Sequence, residues 1–167
     1  MATDYAVMFE HYISLTHAFK FEDTLDKSTL YTLDIFNKIS REKAGFSYQE
    51  GKWTIKQLIS HVIDTERIMS YRALRYSRKD QTKLSEFNDE FYASNAGSEN
   101  RSLKSLIEEF VILRKSTSQL FENFTTEMLT YYGPEEQKGL TIEKIGRMVA
   151  GHSMHHCTIL VKRYGVK

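Results

Sequence analysis

Three of the chain's six histidines lie within the ten-residue segment GHSMHHCTIL, residues 151–160. Imidazole nitrogens bind divalent transition metals, and two histidines four residues apart on a helix can bind one ion together. His152 and His156 have this spacing. On a helical wheel of about 100° per residue both lie near the centre of the apolar face, with His155 at its edge and Cys157 pointing elsewhere. The segment therefore predicts two inward imidazoles, either bound to a metal or hydrogen-bonded within a core.

A third ligand would favour the metal site over the pair of core histidines. His11 and His17 lie in an N-terminal region that we expect to be irregular, where surface roles suit them. His61 lies in QLISHVIDTERI, at the border of the apolar face of a predicted helix. If that helix is antiparallel to the helix of His152 and His156, a rise of about 1.5 Å per residue places all three histidines in the same half of the molecule. The spacing permits a three-histidine site and leaves the metal-free alternative open.

Three charged residues near His61 are candidates for a substrate pocket. Asp64 follows it by three residues and suits a general base or a hydrogen-bond acceptor behind a metal ligand, although a salt bridge to Arg67 also accounts for it. Arg72 and Arg75 continue the stripe of His61 and could hold an anionic group of a substrate. The alternative for both arginines is a cation that pairs with the helix dipole near a C-terminus.

Four long segments with helical periodicity position these residues. They are predicted at about 26–41, 54–78, 102–124 and 142–165. Thr54 and Gln57 have the spacing of a capping box, and Gly165 suits a helix C-cap. The residues of the first helix that are predicted to face inward are Leu30, Leu33, Phe36 and Ile39.

Four amphipathic helices favour an all-α four-helix bundle. The segment DQTKLSEFNDEFYASNAGSEN, residues 80–100, separates the second and third helices. It is long for a tight turn and sufficient for a crossover along the bundle, with a short helix inside. We therefore expect an up-down-down-up arrangement in a single domain that spans residues 1–167.

Composition and charge argue against several classes of protein. The net charge is +1, from 23 basic and 22 acidic residues, whereas a nucleic-acid-binding protein usually has a basic excess or a clustered basic face. The densest basic stretch, RALRYSRK, ends a predicted helix. The sequence shows neither a signal peptide nor an apolar run that could span a membrane. One cysteine suits a reducing compartment, so we expect a cytoplasmic protein. The amphipathic segment YAVMFEHYISL either folds over its own bundle or mediates a homodimer.

The segments GKWTIKQLISHVIDTERIMSYRALR (51–75) and AGHSMHHCTILVKRY (150–164) resemble the two signature segments of the DinB-like superfamily. This superfamily includes YfiT-like metal-dependent hydrolases and thiol-dependent transferases. The resemblance extends from about Tyr5 to Tyr164 and includes EFNDEFY in the crossover. It implies an up-down-down-up four-helix bundle that holds one divalent metal ion, often nickel or zinc.

The resemblance also implies a ligand set, one histidine from the second bundle helix and two from the fourth. In this chain these positions are His61, His152 and His156. Relatives often carry a charged residue at the position of Ser153, which is not a ligand in the family. Three neutral imidazoles leave open coordination positions, as catalytic sites do.

The leading hypothesis is a metal-dependent hydrolase or low-molecular-weight-thiol transferase that acts on a small electrophilic substrate. No HExxH motif, nucleophile elbow, phosphate loop or dinucleotide fingerprint points to another reaction. One alternative is a non-catalytic helical protein that binds metal or a small molecule in a stress response. Another is a structural bundle whose histidines bind no metal.

Overall fold

The computed structural model describes residues 2–134 and 140–167, with side chains from Ala6 onward. These ranges contain α-helices joined by irregular segments, together with an isolated antiparallel bridge between Tyr132 and Thr141. In chain order the helices are α1 (Ala2–Ser14), α2 (Phe21–Asn37), α3 (Ile55–Ser77), α4 (Asp89–Asn95), α5 (Leu103–Glu122), α6 (Thr126–Leu129) and α7 (Ile142–Tyr164).

Helices α2, α3, α5 and α7 form a four-helix bundle in the predicted up-down-down-up order. Contacts between α3 and α5 follow the same order along both helices, so these neighbours are parallel, whereas contacts between α3 and α7 follow opposite orders. The pairs that show this are Arg67 with Glu109 and Ser70 with Thr117 for α3 and α5, and Trp53 with Tyr164 and His61 with His152 for α3 and α7. The segment between α3 and α5 is the predicted crossover, and α4 is the short helix inside it.

The ends of α3 and α7 agree with the signals in the sequence. Thr54 and Gln57 form the predicted capping box, in which the Thr54 side chain accepts from the Gln57 backbone N–H and the Gln57 side chain accepts from the Thr54 backbone N–H. Gly165 caps α7 in the left-handed conformation, with φ 66°. Local capping chemistry therefore fixes the two helices that carry the histidines.

The inward face predicted for α2 is partly wrong. The helix begins at Phe21 and ends at Asn37, and Leu30 is 72% exposed. Phe36 and Ile39 are buried as predicted, and Leu33 is partly buried. The true buried face of the first half of α2 carries small hydroxyl residues, because they contact a buried polar group, and a pattern based on apolar residues alone does not detect such a face.

Two apolar clusters fill the core, one toward each end of the bundle. One contains Phe36, Ile59, Leu106 and Leu160, and the other contains Met69, Phe121, Ile145 and Met148. The buried side chains that lie between these clusters, or that meet there from α3, are polar. This polar layer consists of Ser28 and Thr32 on α2, His61 and Glu66 on α3, Arg114 and Thr117 on α5, and His152, Ser153 and His156 on α7.

The N-terminal region is helical, contrary to the irregular structure expected for it. Helix α1 packs against α7 and contributes Tyr12 and Ile13 to one apolar cluster, whereas the side chain of Tyr5 lies outside the described residues. Within the described ranges, every helix is too short or too polar to cross a lipid bilayer.

Candidate metal centre

His61 of α3 meets His152 and His156 of α7 in the polar layer, and we call these three residues the histidine cluster. The spacing of four residues on α7 directs both imidazoles of that helix to the side that faces α3. His152 Nε2 lies 3.0 Å from His61 Nε2 and 3.1 Å from His156 Nε2. One nitrogen of each residue lies within 4.8 Å of the others. The structure thus brings together the three residues that the sequence predicts as ligands.

Hydrogen bonds cannot satisfy all three converging nitrogens. A neutral imidazole nitrogen either donates one hydrogen or accepts through one lone pair, yet His152 Nε2 contacts two other ring nitrogens. At least one of the two contacts therefore lacks a well-placed hydrogen. A cation between the three lone pairs would satisfy every nitrogen, and ligand nitrogens about 2.0–2.1 Å from a tetrahedral zinc ion lie roughly 3.3 Å apart. The observed spacing is close to that value, so these residues fit a bound divalent metal.

Burial keeps the three imidazoles neutral. It lowers the pKa of His61 to about 4, against a weaker opposing effect of the Asp89 carboxylate. Burial also lowers the pKa of His152 and of His156 well below the usual histidine range, and the neighbouring imidazoles lower both further. Metal binding requires the neutral ring, so the site is prepared for a cation over a wide range of pH.

The His156 ring has an unusual environment on its second nitrogen. Nδ1 is buried and has no hydrogen-bond partner. A histidine that binds a metal usually donates its other N–H to an acceptor, which fixes the ring and its tautomer. In this chain the packing of His156 against His155 and the rest of the cluster positions the ring instead.

Two aromatic side chains flank the cluster. The ring centroid of Trp53 is 4.7 Å from that of His61, and the Tyr12 centroid is 5.2 Å from that of His152 in an edge-on arrangement. Trp53 is only half-buried, and its Nε1 donates to the Glu90 carboxylate at 3.2 Å. Both rings therefore lie against the histidine cluster, and Trp53 also contacts the crossover.

Gly151 allows α1 to approach α7 this closely. A Cβ atom at this position would lie 1.8 Å from the backbone carbonyl oxygen of Tyr12, a distance that no packing adjustment of a side chain can relieve. The absence of a side chain at Gly151 thus places the Tyr12 ring beside His152.

The candidate pocket residue Asp64 interacts with a neighbouring cation. Its carboxylate lies 3.8 Å from Arg67, the salt bridge that the sequence offers as the alternative, and it makes no hydrogen bond to the imidazoles in the described part of the chain. Burial raises the pKa of Asp64, partly offset by the positive charge of Arg67.

The structure separates the two candidate arginines. Arg75 donates to the Asp80 carboxylate at 2.7 Å and to the Thr82 carbonyl at 2.6 Å, and so holds the start of the crossover. Arg72 is buried, and its guanidinium contacts the Met69 sulfur and the Ser85 carbonyl. Neither arginine hydrogen-bonds to the histidine cluster.

The remaining histidines and the cysteine lie outside the cluster. His155 Nδ1 is 3.2 Å from His11 Nε2 at the surface, where α1 meets α7, and His17 is exposed. Cys157 is fully buried in an apolar cluster, and burial raises the pKa of its thiol to about 12. A thiolate nucleophile from the protein itself is therefore excluded at this site.

The sequence analysis missed a buried ion pair in the same polar layer. The Arg114 guanidinium donates to both carboxylate oxygens of Glu66, and each residue is 2% exposed. Arg114 also donates to hydroxyl oxygens of α2 and α7, so the group joins all four bundle helices. This ion-pair cluster consists of Glu66 and Arg114 with Ser28, Thr29 and Ser153. Its signal was present in the sequence, because Arg114 lies in register with Phe110 and Phe121 on the buried face of α5.

A second group missed by the sequence analysis lies in the crossover. The negative charge of Asp89, at the start of α4, raises the pKa of both His61 and Tyr12, which places this carboxylate near the two side chains. Its neighbour Glu90 accepts from Trp53. The EFNDEFY segment therefore supplies acidic side chains beside the cluster.

Comparisons with known proteins agree with this architecture. The sequence model of the DinB superfamily matches residues 24–160. Among solved structures, YfiT from Bacillus subtilis, described as a probable metal-dependent hydrolase with an unusual four-helix bundle topology, is similar with a TM-score of 0.73 and 16% sequence identity, over 88% of this chain and 87% of that one. A comparison with curated proteins gives no match. Since the superfamily match covers most of the sequence and includes all three residues of the histidine cluster, the chain belongs to the DinB superfamily.

Proposed function

We propose that this protein is a metalloenzyme that binds one divalent transition metal ion, nickel or zinc, through His61, His152 and His156. Its reaction is the attack of water or a low-molecular-weight thiol on a small electrophilic substrate. The description of YfiT as a probable metal-dependent hydrolase is consistent with this proposal and belongs to that protein. The observation that carries the proposal is the convergence of three buried, neutral imidazole nitrogens whose contacts hydrogen bonds cannot all satisfy.

A metal ion bound by three imidazoles would lower the pKa of water or a thiol that it coordinates and would polarise an electrophile. The residues of the chain have other tasks. Burial and packing keep the imidazoles neutral and oriented, and the rings of Tyr12 and Trp53 limit the access of bulk water. The negative charge of Asp89 acts on both His61 and Tyr12 and would favour a cation beside them.

The nucleophile in this proposal comes from outside the protein. The thiol of Cys157 is buried with a pKa of about 12, so a free thiolate is not available there. A cytoplasmic location, which we propose from the single unpaired cysteine, would supply low-molecular-weight thiols. Water and an external thiol are then the two nucleophiles to compare.

The metal is tested by elemental analysis of untagged protein beside two variants. We expect close to one nickel or zinc ion per chain in the parent and almost none in the His152→Ala/His156→Ala variant. The matched control is His11→Ala/His17→Ala, which removes two exposed histidines outside the cluster. It should retain the metal of the parent. Equal metal content in all three proteins, or none in any after incubation with divalent ions, contradicts the proposed site.

The reaction is tested with the same three proteins. A panel of activated esters and lactones reports hydrolysis, and an electrophilic aryl halide with a small thiol reports transfer. Turnover should disappear with a chelator, return with added metal, and be absent from the His152→Ala/His156→Ala variant. Tight metal binding without turnover on either panel would favour the non-catalytic alternative.

A further inference from the structure

Polar side chains continue the line of His61 along α3, toward the end of the helix. At about 100° per residue, Thr65 and Arg72 lie within about 40° of His61 around the helix axis. All three are buried, with exposed fractions of 7%, 8% and 7% for Thr65, Arg72 and His61. We call these three residues the α3 stripe. It is unusual because its two members beyond the cluster have incomplete polar contacts.

Thr65 lies one turn beyond His61. Its hydroxyl oxygen is buried and has no hydrogen-bond partner. A threonine within a helix commonly donates to the carbonyl four residues earlier, but Thr65 does not, whereas Thr24 and Thr29 of α2 do. A buried hydroxyl without a partner costs about 1–3 kcal/mol, so a hydrogen-bonding ligand beside it would remove this penalty.

Arg72 is a buried cation that lacks a carboxylate partner. Its Nη1 lies 3.7 Å from the Met69 sulfur and its Nη2 donates to the Ser85 carbonyl at 3.3 Å, and within the described residues no acidic side chain is in ion-pair contact with it. Burial lowers its pKa, and the nearby Tyr76 and Glu86 side chains oppose this effect. A buried charge needs an opposite charge in direct contact or several hydrogen bonds to offset its desolvation, and the contacts of Arg72 among the described residues are one to a sulfur and one to a carbonyl.

Two other arginines of the bundle are paired with carboxylates. Arg114, more buried still, donates to both oxygens of Glu66, and Arg75 donates to Asp80. The chain thus supplies a carboxylate to the buried arginine of the ion-pair cluster and to the arginine next along α3. Arg72 differs from both, because no carboxylate of the described residues is paired with it, and a guanidinium binds a carboxylate through two parallel hydrogen bonds.

The distance between the Arg72 guanidinium and the histidine cluster sets the length of a ligand that could contact both. Its contact with Met69 shows that the side chain of Arg72 bends back toward the start of α3, as helical side chains do. Met69 is eight residues beyond His61, which is about 12 Å along a helix axis at 1.5 Å per residue. The crossover lies along the same length, since Ser85 contacts Arg72 and Glu90 contacts Trp53 beside His61.

We propose that the α3 stripe binds an elongated substrate with a carboxylate at the end distant from its reactive group. Arg72 binds that carboxylate, the Thr65 hydroxyl hydrogen-bonds to a polar group in the middle of the molecule, and the reactive end lies at the histidine cluster. This assignment rests on the proposed metalloenzyme function and narrows its substrates to anionic molecules about 10 Å long.

The test uses the metal-loaded protein and isothermal titration calorimetry, with the metal content of each sample measured in parallel. The probes are suberate, which has carboxylates at both ends, and monomethyl suberate, which has the same length and one carboxylate. We expect suberate to bind about tenfold or more tightly, since a charge-assisted pair contributes about 1.5–3 kcal/mol. The Arg72→Met variant should bind both probes equally, whereas the matched control Arg75→Met should keep the preference.

Thr65→Val gives a second variant that preserves shape. Because the middle of suberate has only methylene groups, its probe is N-succinyl-β-alanine, a dicarboxylate of the same length with a central amide, which Thr65→Val should bind about threefold or more weakly than the parent. Equal binding of suberate and monomethyl suberate by metal-loaded parent protein overturns the inference, and so does a full preference for suberate retained by Arg72→Met or full affinity for N-succinyl-β-alanine retained by Thr65→Val. If Arg72→Met lowers the thermal stability but leaves the preference for suberate unchanged, Arg72 anchors the crossover and the inference is overturned. Absence of metal from the parent contradicts the proposed function itself, so the two failures are distinguishable.

Discussion

The ion-pair cluster and the histidine cluster occupy the same polar layer and are buried to a similar extent, yet their polar atoms are satisfied very differently. In the first, Glu66 and Arg114 neutralise each other, and hydroxyl groups of two more helices accept the remaining guanidinium hydrogens. In the second, three neutral rings point nitrogens at one another and His156 Nδ1 has no partner. The polar atoms of the first group are satisfied within the chain, whereas the converging nitrogens of the second would be satisfied by an ion.

This difference separates a structural polar group from a site that binds a ligand. Burial and depth do not distinguish them, because both clusters belong to the same polar layer. The number of polar atoms without a satisfactory hydrogen bond distinguishes them. It follows that substitutions in the ion-pair cluster should change folding stability with little effect on metal content, and substitutions in the histidine cluster should do the reverse.

The largest expected effect is the loss of the buried ion pair. Glu66→Gln leaves the Arg114 charge uncompensated in the core, so we expect the free energy of unfolding to fall by about 3–5 kcal/mol. Urea denaturation followed by circular dichroism measures this. Glu66→Met/Arg114→Met removes both charges and should recover most of the loss. A Glu66→Gln protein within about 0.5 kcal/mol of the parent, a difference typical of surface substitutions, would show that the pair is not needed for stability.

Metal should stabilise the histidine cluster by a comparable but smaller amount. An ion at one hundred times its dissociation constant raises the free energy of unfolding by about 2.7 kcal/mol when only the folded state binds it. Thermal unfolding with and without nickel or zinc measures the shift. The same shift in His152→Ala/His156→Ala would place the binding site elsewhere in the protein.

Low pH should lower the stability of the metal-free protein, because its buried histidines bind protons when it unfolds. Their pKa values are lowered on folding, to about 4 for His61, so between about pH 6.5 and 4 the unfolded chain binds protons that the folded chain does not. Stability is therefore complete above the unfolded pKa and falls with decreasing pH, by about 1.4 kcal/mol per pH unit for each affected histidine. Denaturation midpoints across this range should fall less steeply for His152→Ala/His156→Ala, and parallel profiles would refute the assignment.

The smallest expected effect has the opposite sign. In metal-free protein His156→Leu replaces a ring that has an unpaired buried nitrogen with an apolar side chain, so we expect stability to increase by about 1 kcal/mol. Metal binding should be lost in the same variant. A marked destabilisation of the metal-free protein would mean that His156 is structural and would remove the contrast between the two clusters.

Helical periodicity and the long segment between α3 and α5 predicted the bundle and its crossover, and the resemblance to the DinB-like superfamily implied the meeting of the three histidines. Helix caps at Thr54 and Gly165 fix the ends of α3 and α7, and regular spacing directs His152 and His156 to one face. The α2 face that was predicted around Leu30 fails for a nonlocal reason. Ser28 and Thr32 face the core because Arg114 and Ser153 lie opposite them, and nothing within α2 itself indicates those partners.

The residues around the histidine cluster could not be predicted from the sequence, again because their contacts are nonlocal. Tyr12 and Asp89 reach the histidines only through the path of α1 over α7 and of the crossover along α3. Both are ordinary residues in amphipathic or acidic segments when considered alone. Arg114 was detectable, because a charged residue in register with buried aromatic residues needs a partner, and Glu66 lies on a facing helix.

The contact between Gly151 and the Tyr12 carbonyl has a consequence for surveys of natural and laboratory variation. Position 151 should tolerate replacement as poorly as the histidine positions, although glycine has no side chain that could take part in a reaction. A conservation score alone would therefore assign it wrongly to the catalytic residues. Glycine is needed at this position because α1 packs directly against it. A relative with alanine there must pack its first helix differently, so the residue at this position indicates which members of the superfamily place their first helix beside the histidines in the same way.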